Sequence, residues 1–299
     1  MQNNFGFDLP PDLVAKEPAE RRGLNRDQVR LLVVDRKTHT VEHSRFDQLG
    51  TWLRSGDLLV LNSSRTIPAW LNGLDSSGSI SFDVRIAEHF SDDCWLALII
   101  CRNREFQLQE GVRIYFGLGL SAIVSEQHPN IPRLWKICFS HHGSDLFDLL
   151  YRIGRPVRYE YVSNPWSLDD YQTIYATEPG SAEMPSAGRA FTWKMLLELK
   201  RCGVQIAFIT LHTGLSSLMD EDLDLKHLFA EEEFQIGNHA AEQINAAQDN
   251  GNRIIAIGTT VVKTLESEAD DDGYVNAGHG YTGLHISSDT RLRVVDGLL

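Results

Sequence analysis

Cysteine is scarce in this 299-residue chain: Cys94, Cys101, Cys138 and Cys202 are its four. No two of them stand at the paired spacing of a zinc ribbon or a thioredoxin-like centre, so all four are expected to be free, buried thiols. The adjacent His141 and His142 have no flanking carboxylate or thiolate cluster, which suits a loop better than a metal site, and no metal is expected. Long apolar runs are also missing. A membrane-spanning helix takes roughly 20 apolar residues, and the longest run here is of the size of residues 96–100. The first residues, Met1-Gln-Asn-Asn-Phe, show no basic stretch followed by an apolar run, and a cytoplasmic location is the expectation. Positive charge is the third shortage: 28 Lys and Arg against 41 Asp and Glu give a formal net charge of -13. A broad basic field that would capture nucleic acid is thereby excluded. An RNA partner would have to meet a local cluster, such as Arg21, Arg22, Arg26 and Arg30, or Arg152, Arg155 and Arg158. Solvated surface arginines are the competing reading of both.

What is present is ordinary globular composition, 42% hydrophobic and 23% charged, in a chain long enough for two domains. Asp57-Leu-Leu-Val-Leu61 follows the turn signal Ser55-Gly56 and suits a strand buried on both faces, ending in the polar loop Asn62-Ser-Ser-Arg65. From about residue 80 to 139 the texture becomes short strands. Ile80, Phe82, Val84 and Ile86 alternate with Ser81, Asp83 and Arg85, and runs at 94–101, 112–116, 120–125 and 133–139 continue the pattern. A small antiparallel β-barrel is their natural closure.

After Tyr171 helix and strand alternate. Residues 191–202 read as a helix with Thr192 as N-cap, Met195, Leu196 and Leu199 as its apolar stripe and Gly203 as its stop. An apolar strand at 204–211 follows, then a helix at 239–250 closed by Gly251, a strand at 253–257, and a helix from Val261. This alternation predicts an α/β fold with a mainly parallel sheet covered by helices. Ligands of such sheets bind at the carboxyl ends of the strands. Two spots lie there: Leu211-His212-Thr213-Gly214, and Gly258-Thr259-Thr260, whose amides and hydroxyls suit a carboxylate or phosphate, or simply cap the helix.

Six ordered blocks carry a resemblance: FDLPPDLVAKEP, SGDLLVLNSSRTIPA, YQTIYATEPGSAEMPSAG, GVQIAFITLHTGL, IAIGTTVVKTLES and RVVDGLL. In order and spacing the chain resembles the S-adenosylmethionine:tRNA ribosyltransferase-isomerases of queuosine synthesis, nearly end to end. The resemblance implies an α/β core formed by residues 1–68 and 155–299, interrupted by a barrel insert at 69–154. It implies transfer and isomerisation of the ribosyl group of S-adenosylmethionine onto the amine of a 7-deazaguanine base in tRNA. In the scheme proposed for that family, a base takes a proton from the carbon beside the sulfonium, adenine is expelled, the amine adds, and an epoxide closes as methionine leaves. The protein need supply a positioned base and anchors for the two ends of the donor, without metal.

The chain departs from the family at several places. Gly154-Arg-Pro-Val-Arg-Tyr-Glu-Tyr-Val162 replaces a proline-rich run, Arg189-Ala190-Phe191 replaces Leu-His-Phe, and Ser216-Ser217-Leu218 replaces Gly-Thr-Phe. Relatives also continue for a few dozen residues beyond the point matching Leu299, so a truncated, divergent paralogue is expected. Within the blocks, His212 is a candidate general base or orienting group and Glu183 a second catalytic candidate. Arg65 suits the methionine carboxylate, Tyr171 a purine face and Gln172 a purine edge. Ser186, Gly188, Thr213, Gly258, Thr259, Thr260 and Glu266 complete the expected cofactor-binding set. Three readings stay open: a tRNA acceptor, a small deazapurine-like amine favoured by the acidic balance, and a non-catalytic nucleoside-binding or partner-binding paralogue.

Overall fold

A computed structural model describes residues 10, 13–91, 94–103, 105–158, 162, 164–220, 231–287 and 289–299. Part of the FDLPPDLVAKEP block and residues 159–161 and 163 lie outside these. After a short 3-10 helix (Ala19–Arg22) comes an antiparallel hairpin, β1 (Arg30–Asp35) and β2 (Thr40–Arg45), which has no counterpart in the sequence pattern. The chain then enters the buried strand β3 (Leu58–Asn62), as its unbroken apolar run requires, and a short β4 (Ser64–Thr66).

The next six strands, β5 (Trp70–Leu74), β6 (Ser81–Ser91), β7 (Cys94–Cys101), β8 (Arg113–Gly117), β9 (Leu120–Gln127) and β10 (Leu134–Phe139), close into a barrel. Their neighbours are antiparallel throughout. The period of two is visible in the burial of Phe82, Val84 and Ile86, which pack inside with Leu98, Ile114, Leu134 and Ile137. Helix α1 (Gly143–Ile153) adds Leu146 and Leu150 to that core. The four cysteines are not all free: Cys94 and Cys138 form a disulfide, and Cys202 is exposed. The register explains the error, since Cys138 stands directly opposite Cys94 across β7 and β10, a pairing that a separation of 44 residues conceals.

The chain returns through β11 (Glu178–Ser181), which pairs in parallel with β4. Helix α2 (Trp193–Arg201) is capped by Thr192, whose hydroxyl accepts the N–H of Met195. Then come β12 (Gln205–Leu211), β13 (Glu232–Ile236), α3 (Asn238–Asp249), β14 (Ile254–Ala256), α4 (Thr259–Glu268), β15 (Gly278–Thr282) and β16 (Gly297–Leu298). The main sheet has the order β15-β13-β12-β3-β14-β16. Strands β12, β3, β14 and β16 are parallel, while β13 and β15 add an antiparallel edge. Leu58 and Val60 face the core under α3 and α4, and Leu59 and Leu61 face the core under α2, so the continuous apolar run is explained by helices on both faces.

Gly73 on β5 packs closely against β8 inside the barrel. A Cβ there would lie 2.2 Å from Ile114 Cγ2 and about 3 Å from the Phe116 ring. We expect Gly73→Ala to destabilise the protein by about 1–3 kcal/mol through overpacking, read from denaturant unfolding. An unchanged midpoint would show that the ring and the isoleucine yield freely.

Candidate functional site

The parallel strands β3, β12 and β14 end together, and one buried side chain joins them. Asn62 Nδ2 donates to Leu211 O at 2.9 Å and to Thr260 Oγ1 at 3.3 Å, while its Oδ1 accepts from Leu211 N at 3.1 Å and Ser64 N at 3.0 Å. All four hydrogen-bonding valences of the amide are used. The end of β3 is thus fixed to the end of β12 and to the first turn of α4. Ser63 repeats the link one residue on, bonding Ile209 O and Thr210 Oγ1.

Around this joint several of the sequence blocks meet. Ser64 Oγ lies 2.8 Å from His212 Nδ1 and 2.6 Å from Ser181 Oγ, and Ser181 Oγ accepts the N–H of Thr213 at 2.9 Å. Burial pushes the His212 imidazole below its ordinary pKa; the charge of Glu233 opposes this, and His89 and His279 add to it. Gly180 makes the approach possible, because a Cβ there would stand 2.5 Å from His212 Nδ1. Glu183 sits on the neighbouring loop, where its amide and that of Ala182 reach Thr213 O and its Oε1 accepts both the N–H and the hydroxyl of Ser216.

A second group of side chains, which the sequence did not single out, adjoins the first. A register shift in β6 between Ile86 and Glu88 buries Ile86 and Ala87 together and re-aims Glu88 and His89. His89 Nδ1 and His279 Nε2 then hold the two oxygens of Glu233, at 2.9 and 2.7 Å. Hydrogen bonding from His89 is the main reason the Glu233 carboxyl falls to about 2, against burial and with help from His279. The backbone carbonyl of Glu233 also accepts His212 N–H. Glu88 has the opposite fate. Burial raises its carboxyl to about 8, with Glu232 and Glu231 adding repulsion and Lys263 partly offsetting it. A Cβ on Gly214 would touch Glu88, and Gly214 N donates to Glu232 Oε1, whose partner oxygen binds Lys263 Nζ at 2.8 Å. Glu88, His89, Phe90, Lys136 and Tyr281 line a cleft of about 770 Å3 between barrel and sheet edge. Among the described residues no group of His, Cys, Asp and Glu has the arrangement of a metal site.

The other sequence candidates fall in different places. Gly258 caps α4, with Ala187 of the 186–188 turn against its Cα, so the Ser186-Ala-Gly188 and Gly258-Thr-Thr260 blocks touch. Thr259 is exposed at the helix start, Thr260 takes the Asn62 bond, and Gly188 lies against the Tyr175 hydroxyl. Gln172 uses both ends of its amide on the backbone of Thr66, at 3.1 and 2.7 Å, and Tyr171 ends the turn before it. Arg65 is exposed and lies over the Tyr151 ring of α1 at 5.6 Å. Glu266 is spent on structure: its carboxylate accepts the amides of Arg293, Val294 and Val295, fixing the final strand beside β14. Of the first arginine cluster, Arg21 and Arg26 are paired with Asp170 and Glu20, which Arg189 also binds. Arg155 and Arg158 instead gather with Arg85 around Trp70, at 5.0 to 5.4 Å from its ring.

A family profile described as "Queuosine biosynthesis protein" matches residues 2–299. A protein of Caldanaerobacter subterraneus named S-adenosylmethionine:tRNA ribosyltransferase-isomerase is 34% identical over 305 residues, covering 100% of this chain and 86% of that protein. One of the same name from Moorella thermoacetica is 36% identical, covering 99% and 85%. The crystal structure of an S-adenosylmethionine tRNA ribosyltransferase from Thermotoga maritima aligns at 27% identity with a TM-score of 0.47, over 98% of this chain and 82% of that one.

The raised Glu88 carboxyl has a consequence for stability. Its folded value of about 8 exceeds the ordinary 4.5, so its contribution is complete below 4.5 and is lost as the pH climbs through 8. Glu88→Gln, neutral at every pH, is expected to gain in melting temperature over wild type across that window and to hold a constant difference above it. Parallel curves from pH 4 to 9 would contradict the assignment.

Proposed function

From the membership of this chain in the S-adenosylmethionine:tRNA ribosyltransferase-isomerase family, we propose that it transfers and isomerises the ribosyl group of S-adenosylmethionine onto a 7-deazaguanine amine. The observation that carries the reading is the convergence at the ends of β3, β12 and β14. Four of the sequence blocks place Ser64, Ser181, His212 and Thr260 in one bonded network there. The surroundings suit a polar donor. Thr66 and Thr213 each carry a buried hydroxyl with no hydrogen-bond partner among the described residues, and both adjoin Ser181. Among the described residues no N-cap side chain takes the amides at the start of α4, and those of Thr259 and Thr260 suit the carboxylate of the methionine end.

The donor brings its own activation, since a sulfonium acidifies the neighbouring carbon and leaves as a neutral thioether. The chain's task is then to position, to hold a proton and to keep water out. Thr213, Thr260 and the Ser186-Ala-Gly188 turn form the walls, His212 presents its ring at the end of β12, and Glu183 and Glu88 supply carboxyl groups for proton traffic. The acidic cleft beside Glu88 favours the amine of the acceptor over its phosphates.

A tRNA acceptor is supported by a feature that net charge conceals. Arg155 and Arg158 have no acidic partner among the described residues and share the Trp70 ring with Arg85, forming a local cationic and stacking surface in an otherwise acidic chain. Incubating the protein with labelled S-adenosylmethionine and deazaguanine-bearing tRNA should release adenine and methionine. Arg155→Glu with Arg158→Glu should weaken tRNA binding and reduce the slope of log K against log salt by about one per lost phosphate contact. Release with a free deazaguanine amine and not with tRNA would favour the small acceptor, and no release with either would remove the transferase reading.

A further inference from the structure

His212 is held by two serines whose protons have few places to go. Ser181 is fully buried and Ser64 is 1% exposed, so neither hydroxyl can satisfy itself with solvent. Among the described residues, Ser181 Oγ has two hydrogen-bond partners, the Thr213 N–H at 2.9 Å and Ser64 Oγ at 2.6 Å. Ser64 Oγ likewise has two, Ser181 Oγ and His212 Nδ1 at 2.8 Å.

The chain of bonds can run in two directions. If His212 carried its proton on Nδ1, it would donate to Ser64, Ser64 would donate to Ser181, and Ser181 would accept twice. The Ser181 proton would then be buried without an acceptor, and if Ser181 donated to Ser64 instead the Ser64 proton would be; either is an arrangement that proteins avoid. If Thr213 donates to Ser181, Ser181 to Ser64 and Ser64 to Nδ1, every proton has an acceptor. We infer that Ser181 and Ser64 fix His212 as the neutral tautomer protonated on Nε2, making the imidazole a hydrogen-bond donor to whatever occupies the strand-end site. The lowering of its pKa by burial agrees with a neutral ring.

This deepens the ribosyl-transfer reading and rests on it for the occupant, though the tautomer itself does not. A neutral imidazole with Nδ1 already occupied cannot accept a proton at Nε2, and giving one up would leave an imidazolate. His212 therefore acts by donating a hydrogen bond, suited to a ribose oxygen or a purine nitrogen of the donor, and the proton taken from substrate passes to a carboxylate. Ser64 and Ser181 are positioning residues in this scheme.

The test is a nitrogen NMR spectrum of the full chain with labelled histidine rings, recorded without S-adenosylmethionine at pH 8, so that its failure is separate from any failure of turnover. His212 is assigned by its loss in His212→Gln. The expected result is a pyridine-type Nδ1 and a pyrrole-type, protonated Nε2. Ser64→Ala should abolish this preference and give averaged shifts, while Ser64→Thr, which keeps the hydroxyl, should restore it. A proton on Nδ1 in the wild-type protein overturns the inference, as does a preference unchanged in Ser64→Ala.

Discussion

Asn62 is the joint on which the rest of the site depends. A parallel sheet brings the ends of its strands to one edge but does not by itself fix the loops that leave them. Here a single buried amide, with all four of its valences used, closes β3 onto the backbone of β12 and the first turn of α4. Everything nearby inherits its position from that closure. Ser64 follows two residues later, within reach of His212, and Ser181 is brought to Ser64 by the parallel pairing of β4 and β11. The interaction is expensive to lose in a buried place, because each freed group would be left without water to replace its partner.

The second constraint is the meeting of barrel and sheet. Glu233 stands on the antiparallel edge strand, and its two oxygens are gripped by one histidine from the barrel and one from β15. That pairing sets the cleft in which Glu88 is held among other acids, beside a lysine that offsets part of the repulsion. The opposite displacement of Glu88 and Glu233, to about 8 and about 2, follows from environment alone: burial among like charges for one, two imidazole donors for the other.

Periodicity and capping made the frame legible in sequence. The run at Leu58, the alternation around Phe82 and the Thr192 cap each appear in the structure where simple spacing puts them. The less legible parts have specific causes. Strand β13 begins with two glutamates and β15 contains two glycines in five residues, so neither looks like a strand. Glu88 and His89 were hidden because a bulge, not a period, aims them. In the Asn-Ser-Ser-Arg loop the charged residue is the one with evident chemistry in sequence, yet β4 alternates so that Arg65 lies outside while Ser64 and Thr66 are buried. Glu266 lies in the block that carries the resemblance, yet its carboxylate is committed to three backbone amides nearly thirty residues away. The cysteine pair needed register, which no local pattern carries.

Hydrogen exchange with and without saturating S-adenosylmethionine tests the central claim, that the donor is held where Asn62 joins the strand ends. The account predicts slowed exchange in residues 62–66, 180–188, 211–214 and 258–262, with the barrel strands β7 and β10 unchanged. Protection confined to the barrel, or none at a concentration that occupies the protein, would contradict it.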